Sequence, residues 1–201
     1  MNDTTAAPST SDAPVEPRHL SRAELDAGLD AIRLSPRDEG RLEMIVARPA
    51  VNQRTVLETA ELDLDTGLRG DGWRDRGDRS TPDGSADPDA QVTLMNSRAI
   101  ALIARSRDRW PLAGDQLFVD LDLSEENLPP GSRLELGTAL LEITATPHLG
   151  CRKFSNRYGT DATKFVNSPA GKQLHLRGLN ARVVRPGAIQ VGDRARKLPG
   201  V

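Results

Sequence analysis

The sequence has 201 residues, which fits a single domain, and 37% of them are hydrophobic. Its 27 basic and 29 acidic residues leave a net charge of −2, so we expect no general attraction to nucleic acid or to a membrane surface. One cysteine excludes an internal disulfide framework. The N-terminal residues lack the pattern of a secretory signal, and no apolar stretch approaches the roughly 18 residues that span a bilayer. We therefore expect a soluble cytoplasmic protein.

The N-terminal part of the sequence divides into a polar tail and one amphipathic helix. Residues 1–19 are rich in Thr, Ser, Ala, Pro and Asp, which bury too little apolar surface to offset the entropy of ordering, so we expect a disordered tail. Ser21 and Glu24 have the spacing of a capping box. A helical segment is therefore predicted within 20–40, ending before Pro36, and its apolar face is formed by Leu25, Leu29 and Ile32.

The next part of the chain alternates predicted strands with one long loop and one helix. The stretches RLEMIVARP, RTVLETAELDL and QVTLM are rich in Val, Leu and Ile and predict strands. Residues 65–91 are dense in Gly, Asp, Arg and Pro and predict an extended loop, which at such a length is commonly functional or mobile. Asn96 can cap a helix that carries Ile100, Leu102, Ile103 and Trp110 and that ends at Pro111 and Gly114.

The second half of the chain predicts a mostly β fold. QLFVDLDL alternates, so that Leu117, Val119, Leu121 and Leu123 share one face. Further β segments are predicted in SRLELG, ALLEITAT, QLHLRG, LNARVVRPG and AIQVGD, with a short helix over 161–166. Closely spaced strands with few helices are typical of barrels and curved sheets. We therefore predict one β-barrel domain over 41–195 with a few peripheral helices, followed by a tail at 196–201.

The only cysteine, Cys151, lies in the segment TPHLGCRKF at the end of a predicted strand. Arg152 and Lys153 follow it directly, and His148 lies three residues before it. Nearby cations favour the thiolate, which is the form that ligates metals and acts as a nucleophile. The same cations can hold an anionic ligand. The glycine-containing loop predicts that Cys151 lies at the rim of the fold, where it is the first candidate for a functional side chain.

Other interpretations of this cysteine stay open at this point. A lone cysteine is commonly a small buried hydrophobe. His148 and Cys151 could begin a zinc site, although the sequence has no second pair to complete it. The same two side chains could also form a nucleophilic pair for hydrolysis. Separately, the segment GLRGDGW could present backbone N–H groups to an anion.

Several short motifs follow one another in a characteristic order. They are GLRGD at 67–71, QVTLM at 91–95, the run at 117–144, PHLGCRKF at 147–154, RYGTDA at 157–162 and LRGLNARVVRPGAIQVGD at 176–193. In this order they resemble the MOSC domain, which is named for the C-terminal part of molybdenum cofactor sulfurase. The resemblance covers roughly residues 42–195. It implies a mostly β, barrel-like fold and a single functional cysteine, here Cys151.

The resemblance implies two alternative uses for Cys151. In one, the thiolate ligates the molybdenum of a pterin cofactor, and small N-oxygenated compounds are reduced with electrons from a separate donor protein. In the other, Cys151 carries a persulfide from a sulfur-donor protein to a metal–sulfur centre. A domain that keeps the fold without chemistry is the third alternative. For a cofactor site, the resemblance implies contacts from Asp71, His148, Arg152, Lys153 and Arg177.

The chain departs from the family pattern in two respects. Its single cysteine leaves no cysteine cluster for an iron–sulfur centre, so the electrons for a reduction are expected from another protein. The stretch AGDQLF at 113–118 replaces a more basic stretch that many members have. We further expect the 70–90 and 147–157 loops to line one cleft, because loops at one end of a rigid scaffold commonly form the binding site.

Overall fold

Segments rich in Val, Leu and Ile form the strands of this protein, for which the computed structural model describes residues 18–78 and 81–199. The strands are β1 Glu39–Ala47, β2 Thr55–Leu57, β3 Thr59–Asp63, β4 Gly67–Leu68, β5 Val92–Asn96, β6 Leu117–Asp120, β7 Arg133–Leu136, β8 Ala139–Ile143, β9 Leu179–Arg185, β10 Gly187–Gln190 and β11 Arg194–Lys197. Several of them, β1, β5, β6, β8 and β9 among them, coincide with stretches that were predicted as strands.

Within the described residues, seven strands close into a barrel in the order β1, β11, β7, β8, β9, β5, β6 and back to β1. The barrel is mixed, because β5 and β6 are parallel while the other neighbouring strands are antiparallel. β2 pairs with the end of β1, and β10, β3 and β4 form a separate small sheet. This closed barrel with several helices confirms the predicted mostly β, single-domain fold.

The barrel has apolar packing on both its inner and its outer side. β6 shows why: Leu117 and Val119 belong to the cluster inside the barrel, whereas Phe118 belongs to a second cluster beneath the helices. Successive side chains of a strand point to opposite faces, so one strand contributes to both. Leu121 and Leu123 continue the inner cluster, as the alternation predicted. The second cluster contains the aromatic side chains of Trp110, Phe118, Phe154, Tyr158 and Phe165.

The helices are α1 Arg22–Ala27, α2 Leu29–Arg33, α3 Trp73–Arg76, α4 Ser97–Ala104, α5 Arg152–Tyr158, α6 Thr160–Val166 and α7 Pro169–Gln173, with 3-10 turns at Pro88–Ala90 and Arg107–Ala113. Buried side chains of α1, α2, α4, α5 and α6 belong to this second cluster. The capping box at Ser21 and the Asn96 cap are both present, as predicted. The first predicted helix is interrupted at Gly28, where an added Cβ would lie 2.6 Å from Leu102. The second stops at Arg105, whose φ of 63° is left-handed, so Trp110 lies in the following turn.

Two predictions for the C-terminal half need correction. QLHLRG is not a strand, because Ser168 caps a short helix whose first turn begins with Pro169, and the chain then turns before β9. Residues 152–158 form a helix that the sequence pattern had not indicated. The predicted tail at 1–19 lies almost entirely outside the described residues, and β11 extends to Lys197. None of the helices in the described part of the chain is long and apolar enough to cross a bilayer.

Candidate functional site

Two cavities meet at residues 146–148, which follow β8. The first has a volume of about 260 Å³ and is lined by Arg48, Trp73, Arg76 and the 146–148 segment; we call it the arginine recess. The second has a volume of about 380 Å³ and an apolar wall formed by Ile143, Leu149, Val166 and Leu179; we call it the apolar cavity. His148 lines both. The 70–90 loop and residues 147 and 148 therefore line one cleft, which confirms part of the prediction. Most of the predicted 147–157 loop is instead helix α5, and Cys151 lines neither cavity.

A buried ion pair between Arg48 and Asp71 forms one wall of the arginine recess. Oδ2 of Asp71 accepts hydrogen bonds from the backbone N–H and Nε of Arg48, both at 2.8 Å, and Oδ1 accepts from Nη2 at 3.1 Å. The Asp71 side chain is fully buried and that of Arg48 is 11% exposed. Both oxygens of Asp71 are therefore occupied by Arg48, which fixes the guanidinium in the recess wall.

The turn at 111–114 is held by arginines that come from distant parts of the chain. The carbonyl oxygen of Pro111 accepts a hydrogen bond from Arg54 at 3.1 Å, and that of Leu112 accepts one from Arg157 at 2.5 Å. The carbonyl oxygen of Ala113 accepts from Arg177 at 3.0 Å, and that of Gly114 accepts from Arg48 at 2.7 Å. Each carbonyl supplies an acceptor without supplying a full negative charge. The turn thus holds four guanidinium groups close together without neutralising their positive charge.

The charge of this arginine cluster is only partly compensated. Arg48 pairs with Asp71 and Arg177 pairs with Asp115, but no carboxylate of the described residues lies within 4.0 Å of Arg54. Burial, and next the charges of Arg157 and Arg48, lower the pKa of Arg54, because each of them disfavours another cation. A cluster of this kind favours an anionic ligand, and guanidinium forks match the oxygens of phosphate and carboxylate.

A second buried polar group links the two cavities. Asp115 is fully buried, and its Oδ2 accepts a hydrogen bond from Nη1 of Arg177 at 2.6 Å. Its Oδ1 lies 3.4 Å from Nδ1 of His148 without forming a hydrogen bond there. Burial raises the pKa of the Asp115 carboxyl, an effect that the Arg177 guanidinium opposes. Arg177 also packs over the Phe154 ring, with 5.0 Å between its Cζ and the ring centre.

Burial, followed by the charges of Arg177 and Arg48, holds the pKa of His148 well below its usual value of 6.5. The ring is therefore neutral at pH 7. Its side chain is 17% exposed, although Nδ1 itself is buried. The site thus contains a neutral imidazole between a buried carboxylate and two cavities.

Cys151 is exposed and free, and it occupies the N-cap position of α5 with no hydrogen bond from its side chain. This excludes the interpretation of the cysteine as a buried hydrophobe and agrees with its predicted position at the rim. The same helix carries Arg157 about one and a half turns later, so α5 connects the thiol to the arginine cluster. In the described part of the chain no group of three His, Cys, Asp or Glu side chains could hold a metal ion, so nothing there extends the His148 and Cys151 pair to a zinc site.

The structure brings together some of the predicted site residues and separates others. His148 and Arg177 converge on Asp115, and Arg48 links them to Asp71. Arg152 and Lys153 are exposed in the first turn of α5 and make none of these contacts. They remain available to a ligand at the rim beside Cys151.

Sequence reasoning missed the residues that form the centre of the cluster. Asp115 lies in AGDQLF, the stretch that was noted as less basic than its family counterparts, and it proves to be a fully buried partner of Arg177. In the sequence, Arg157 lies more than a hundred residues after Arg48 and Arg54. No local pattern therefore indicates that the three arginines are neighbours in the fold. The Gly-Asp pair at 114–115 directly before an alternating strand was the available signal, but it is also typical of an ordinary turn.

Comparison with known proteins agrees with this architecture. The profile of the MOSC domain matches residues 81–196, more than half of the 201-residue chain. The YUAD protein from Bacillus subtilis is 19% identical, with a TM-score of 0.58, over 81% of this chain and 97% of that one. YiiM from Escherichia coli is 18% identical, with a TM-score of 0.52, over 80% of this chain and 71% of that one. At these identities the similarity to the solved structures concerns the fold. No curated protein matches the chain.

Proposed function

Because this chain belongs to the MOSC domain family, we propose that it binds a molybdenum–pterin cofactor with Cys151 as the protein ligand to the metal. The observation that carries the proposal is the partly compensated arginine cluster, one member of which, Arg157, lies on the same helix as the exposed thiol. A thiolate is a soft ligand suited to such a metal, and the cofactor carries a phosphate that guanidinium groups recognise. The chain therefore supplies one candidate ligand for the metal and several cations for the phosphate.

The residues of the site divide between these two ends. Arg54 and Arg157 bind the phosphate, because neither has a carboxylate partner among the described residues. Arg48 contributes to the same anion site, and Asp71 acts through Arg48 by holding its guanidinium in place. Arg152 and Lys153 flank the metal end as exposed cations beside the thiol. Arg177 contributes positive potential while it remains paired with Asp115.

When bound, the molybdenum centre supplies oxygen-atom and electron transfer, and we propose small N-oxygenated compounds as the substrates to be reduced. The electrons come from a separate donor protein, because one cysteine in the sequence cannot hold an iron–sulfur cluster. The apolar cavity accommodates the substrate next to His148. The polypeptide's own part is to bind the cofactor, orient the substrate and present hydrogen-bonding groups to it.

A second candidate function is favoured by the exposure of Cys151. An accessible thiol without a hydrogen-bonding partner can accept sulfane sulfur and pass it on as a persulfide. Incubation with a cysteine desulfurase and cysteine would then add one sulfur to the chain, and intact mass spectrometry would detect it. The adduct would be missing from Cys151→Ser. Molybdenum content distinguishes this function from the first.

Elemental analysis of protein produced with ample molybdate tests the main proposal. The wild type should contain molybdenum in near-equimolar amount, and Cys151→Ser should lose most of it. Arg54→Gln should reduce the content several-fold, because it removes a cation of the phosphate site. Arg33→Gln is the matched control, since Arg33 is exposed on α2 and its one ion pair among the described residues is with the exposed Asp30. A wild type without molybdenum, or a Cys151→Ser protein that retains it, would refute the proposal.

A further inference from the structure

His148 lines the apolar cavity but has no hydrogen-bonding partner among the described residues for its buried Nδ1. From this position we infer that His148 is a ligand-binding residue, whose Nε2 accepts a hydrogen bond from an N–H or O–H group of a small, largely apolar molecule in that cavity. The inference deepens the proposed function, since it rests on that function for taking the cavity to be the substrate site. The geometry of the histidine itself is independent of the cofactor.

The first step of the argument concerns which ring nitrogen of His148 carries the proton. Oδ1 of Asp115 is buried and receives no hydrogen bond, while Oδ2 is bonded to Arg177 at 2.6 Å. Burial raises the pKa of this carboxyl and Arg177 opposes the shift; when Asp115 is ionised, its oxygens can only accept. Nδ1 of His148 lies 3.4 Å from Oδ1. Such contacts are commonly long without a ligand and tighten when one binds. The carboxylate therefore selects the tautomer with the proton on Nδ1.

The second step concerns Nε2 of His148, which lies on the ring edge opposite Nδ1, and whether it is exposed. Nδ1 is buried against Asp115, yet the His148 side chain is 17% exposed and lines both cavities. The exposed part is therefore the edge away from Nδ1, which carries Nε2. In a neutral ring protonated on Nδ1, this Nε2 holds a lone pair and accepts a hydrogen bond.

A second histidine on the cavity wall has the same arrangement. Nδ1 of His175 lies 2.6 Å from the carbonyl oxygen of Leu123, which can only accept, so Nδ1 carries the proton. When neutral, this ring also presents Nε2 as an acceptor. The cavity is thus lined by two imidazoles and an apolar wall and has a volume of about 380 Å³. It suits a molecule with one ring or two that bears at least one hydrogen-bond donor.

The tautomer of His148 gives the first test. The chain has three histidines, so long-range ¹H–¹⁵N spectra of labelled, cofactor-free protein can be assigned with His148→Gln, His175→Gln and His19→Gln. We expect the His148 ring protonated on Nδ1 at pH 7.5, and Asp115→Asn should shift it toward the Nε2-protonated form. A wild-type ring protonated on Nε2 would overturn the inference, even if Asp115→Asn fails to fold.

The second test uses phenol and fluorobenzene, which have nearly the same shape but differ in the hydroxyl donor. A purely apolar cavity binds fluorobenzene more tightly, whereas the inference predicts that phenol binds about tenfold more tightly in the wild type. His148→Phe should remove most of this preference although His175 remains, and a His148→Phe protein that keeps the full preference would overturn the inference. Lys172→Gln, which changes an exposed side chain on the same cavity lining, should retain it. An equal or reversed preference in the wild type would overturn the inference.

Both tests use protein without molybdenum, so their outcome does not depend on whether the proposed function is correct. If the chain lacks molybdenum while the wild type prefers phenol and His148→Phe has lost most of that preference, the cofactor proposal is wrong and the role of His148 stands. If molybdenum is bound while the ring is protonated on Nε2, the cofactor proposal stands and the role of His148 is wrong.

Discussion

Both carboxylate oxygens of Asp71 accept hydrogen bonds from Arg48, and this ion pair is buried between the end of β1 and the loop after β4. Removing one member of a buried pair leaves an uncompensated charge, which costs more than the net worth of the pair. Asp71→Asn should therefore lower the free energy of unfolding by about 3 kcal/mol. Urea denaturation monitored by tryptophan fluorescence measures this.

Asp30→Asn is the control for that substitution. Asp30 is 90% exposed and pairs with an arginine on the protein surface, so its loss should cost less than about 1 kcal/mol. Equal effects of the two substitutions would show that the Arg48–Asp71 pair does not determine the local stability.

Cys151 should be chemically accessible and structurally dispensable. In native protein, a thiol reagent such as DTNB should titrate one thiol per chain, because Cys151 is exposed and is the only cysteine. Cys151→Ser should keep the wild-type stability or raise it slightly, because serine is a preferred N-cap residue and Cys151 makes no cap hydrogen bond in α5. A thermal unfolding midpoint several degrees below that of the wild type would contradict this expectation.

His148 should make the stability depend on pH. Burial first, and then Arg177 and Arg48, hold its folded pKa well below 6.5. As the pH falls below 6.5 the unfolded chain takes up a proton that the folded chain does not, so the free energy of unfolding decreases, by up to about 1.4 kcal/mol per pH unit. The raised pKa of Asp115 acts in the opposite direction, because the folded state retains a proton that the unfolded state has released.

Denaturation curves between pH 7 and 5.5 isolate this contribution. His148→Gln should lack the decrease over that range, while His19→Gln, at an exposed position, should retain it. A wild type and a His148→Gln variant with parallel pH profiles would show that the ring is not held neutral.

Gly178 follows Arg177 directly and should tolerate no side chain. Its φ is 106°, and an added Cβ would lie 2.3 Å from the carbonyl oxygen of Leu94 and 3.2 Å from Oδ1 of Asp115. Gly178→Ala should therefore lower the unfolding free energy by at least about 3 kcal/mol, combining backbone strain with overpacking. Chemical denaturation or loss of soluble expression would report it.

Gly70 is the matched control for backbone conformation. It has a φ of 85°, but nothing lies within 4 Å of the added Cβ, so Gly70→Ala should cost only about 1 kcal/mol. The difference between the two variants measures the steric part. If both lost the same stability, the close approach at Gly178 would not be energetically important.

Periodicity predicted the parts of the fold in which side-chain burial follows the strand or helix repeat. β6 alternates cleanly between the barrel interior and the outer cluster, and the Asn96 cap begins α4 where predicted. The prediction of a strand at QLHLRG was wrong, because a short alternating run does not by itself distinguish a strand from other structure. The preceding Ser-Pro pair begins a helix instead. Helix α5 was missed because its buried face consists only of Phe154 and Tyr158.

Within the candidate site, the local sequence indicated Cys151 and its neighbours, and the family resemblance added Asp71 and Arg177. A single cysteine and the cations beside it are visible in one short segment, whereas Asp115 and Arg48 become site residues only when the barrel closes. An aspartate in a Gly-Asp turn is most often exposed, so its full burial against Arg177 depends on tertiary contacts that composition does not show. The same holds for Arg54, which reaches the cluster from the loop before β2.

The arginines at the turn 111–114 are bound by peptide oxygens rather than by side chains. Substitutions at Leu112 or Ala113 therefore leave the acceptors in place, provided that the backbone keeps its course. The cationic lining of the binding region can thus persist while the residues beneath it diverge. Relatives of this chain can share the electrostatics of the region without sharing a recognisable motif in that turn.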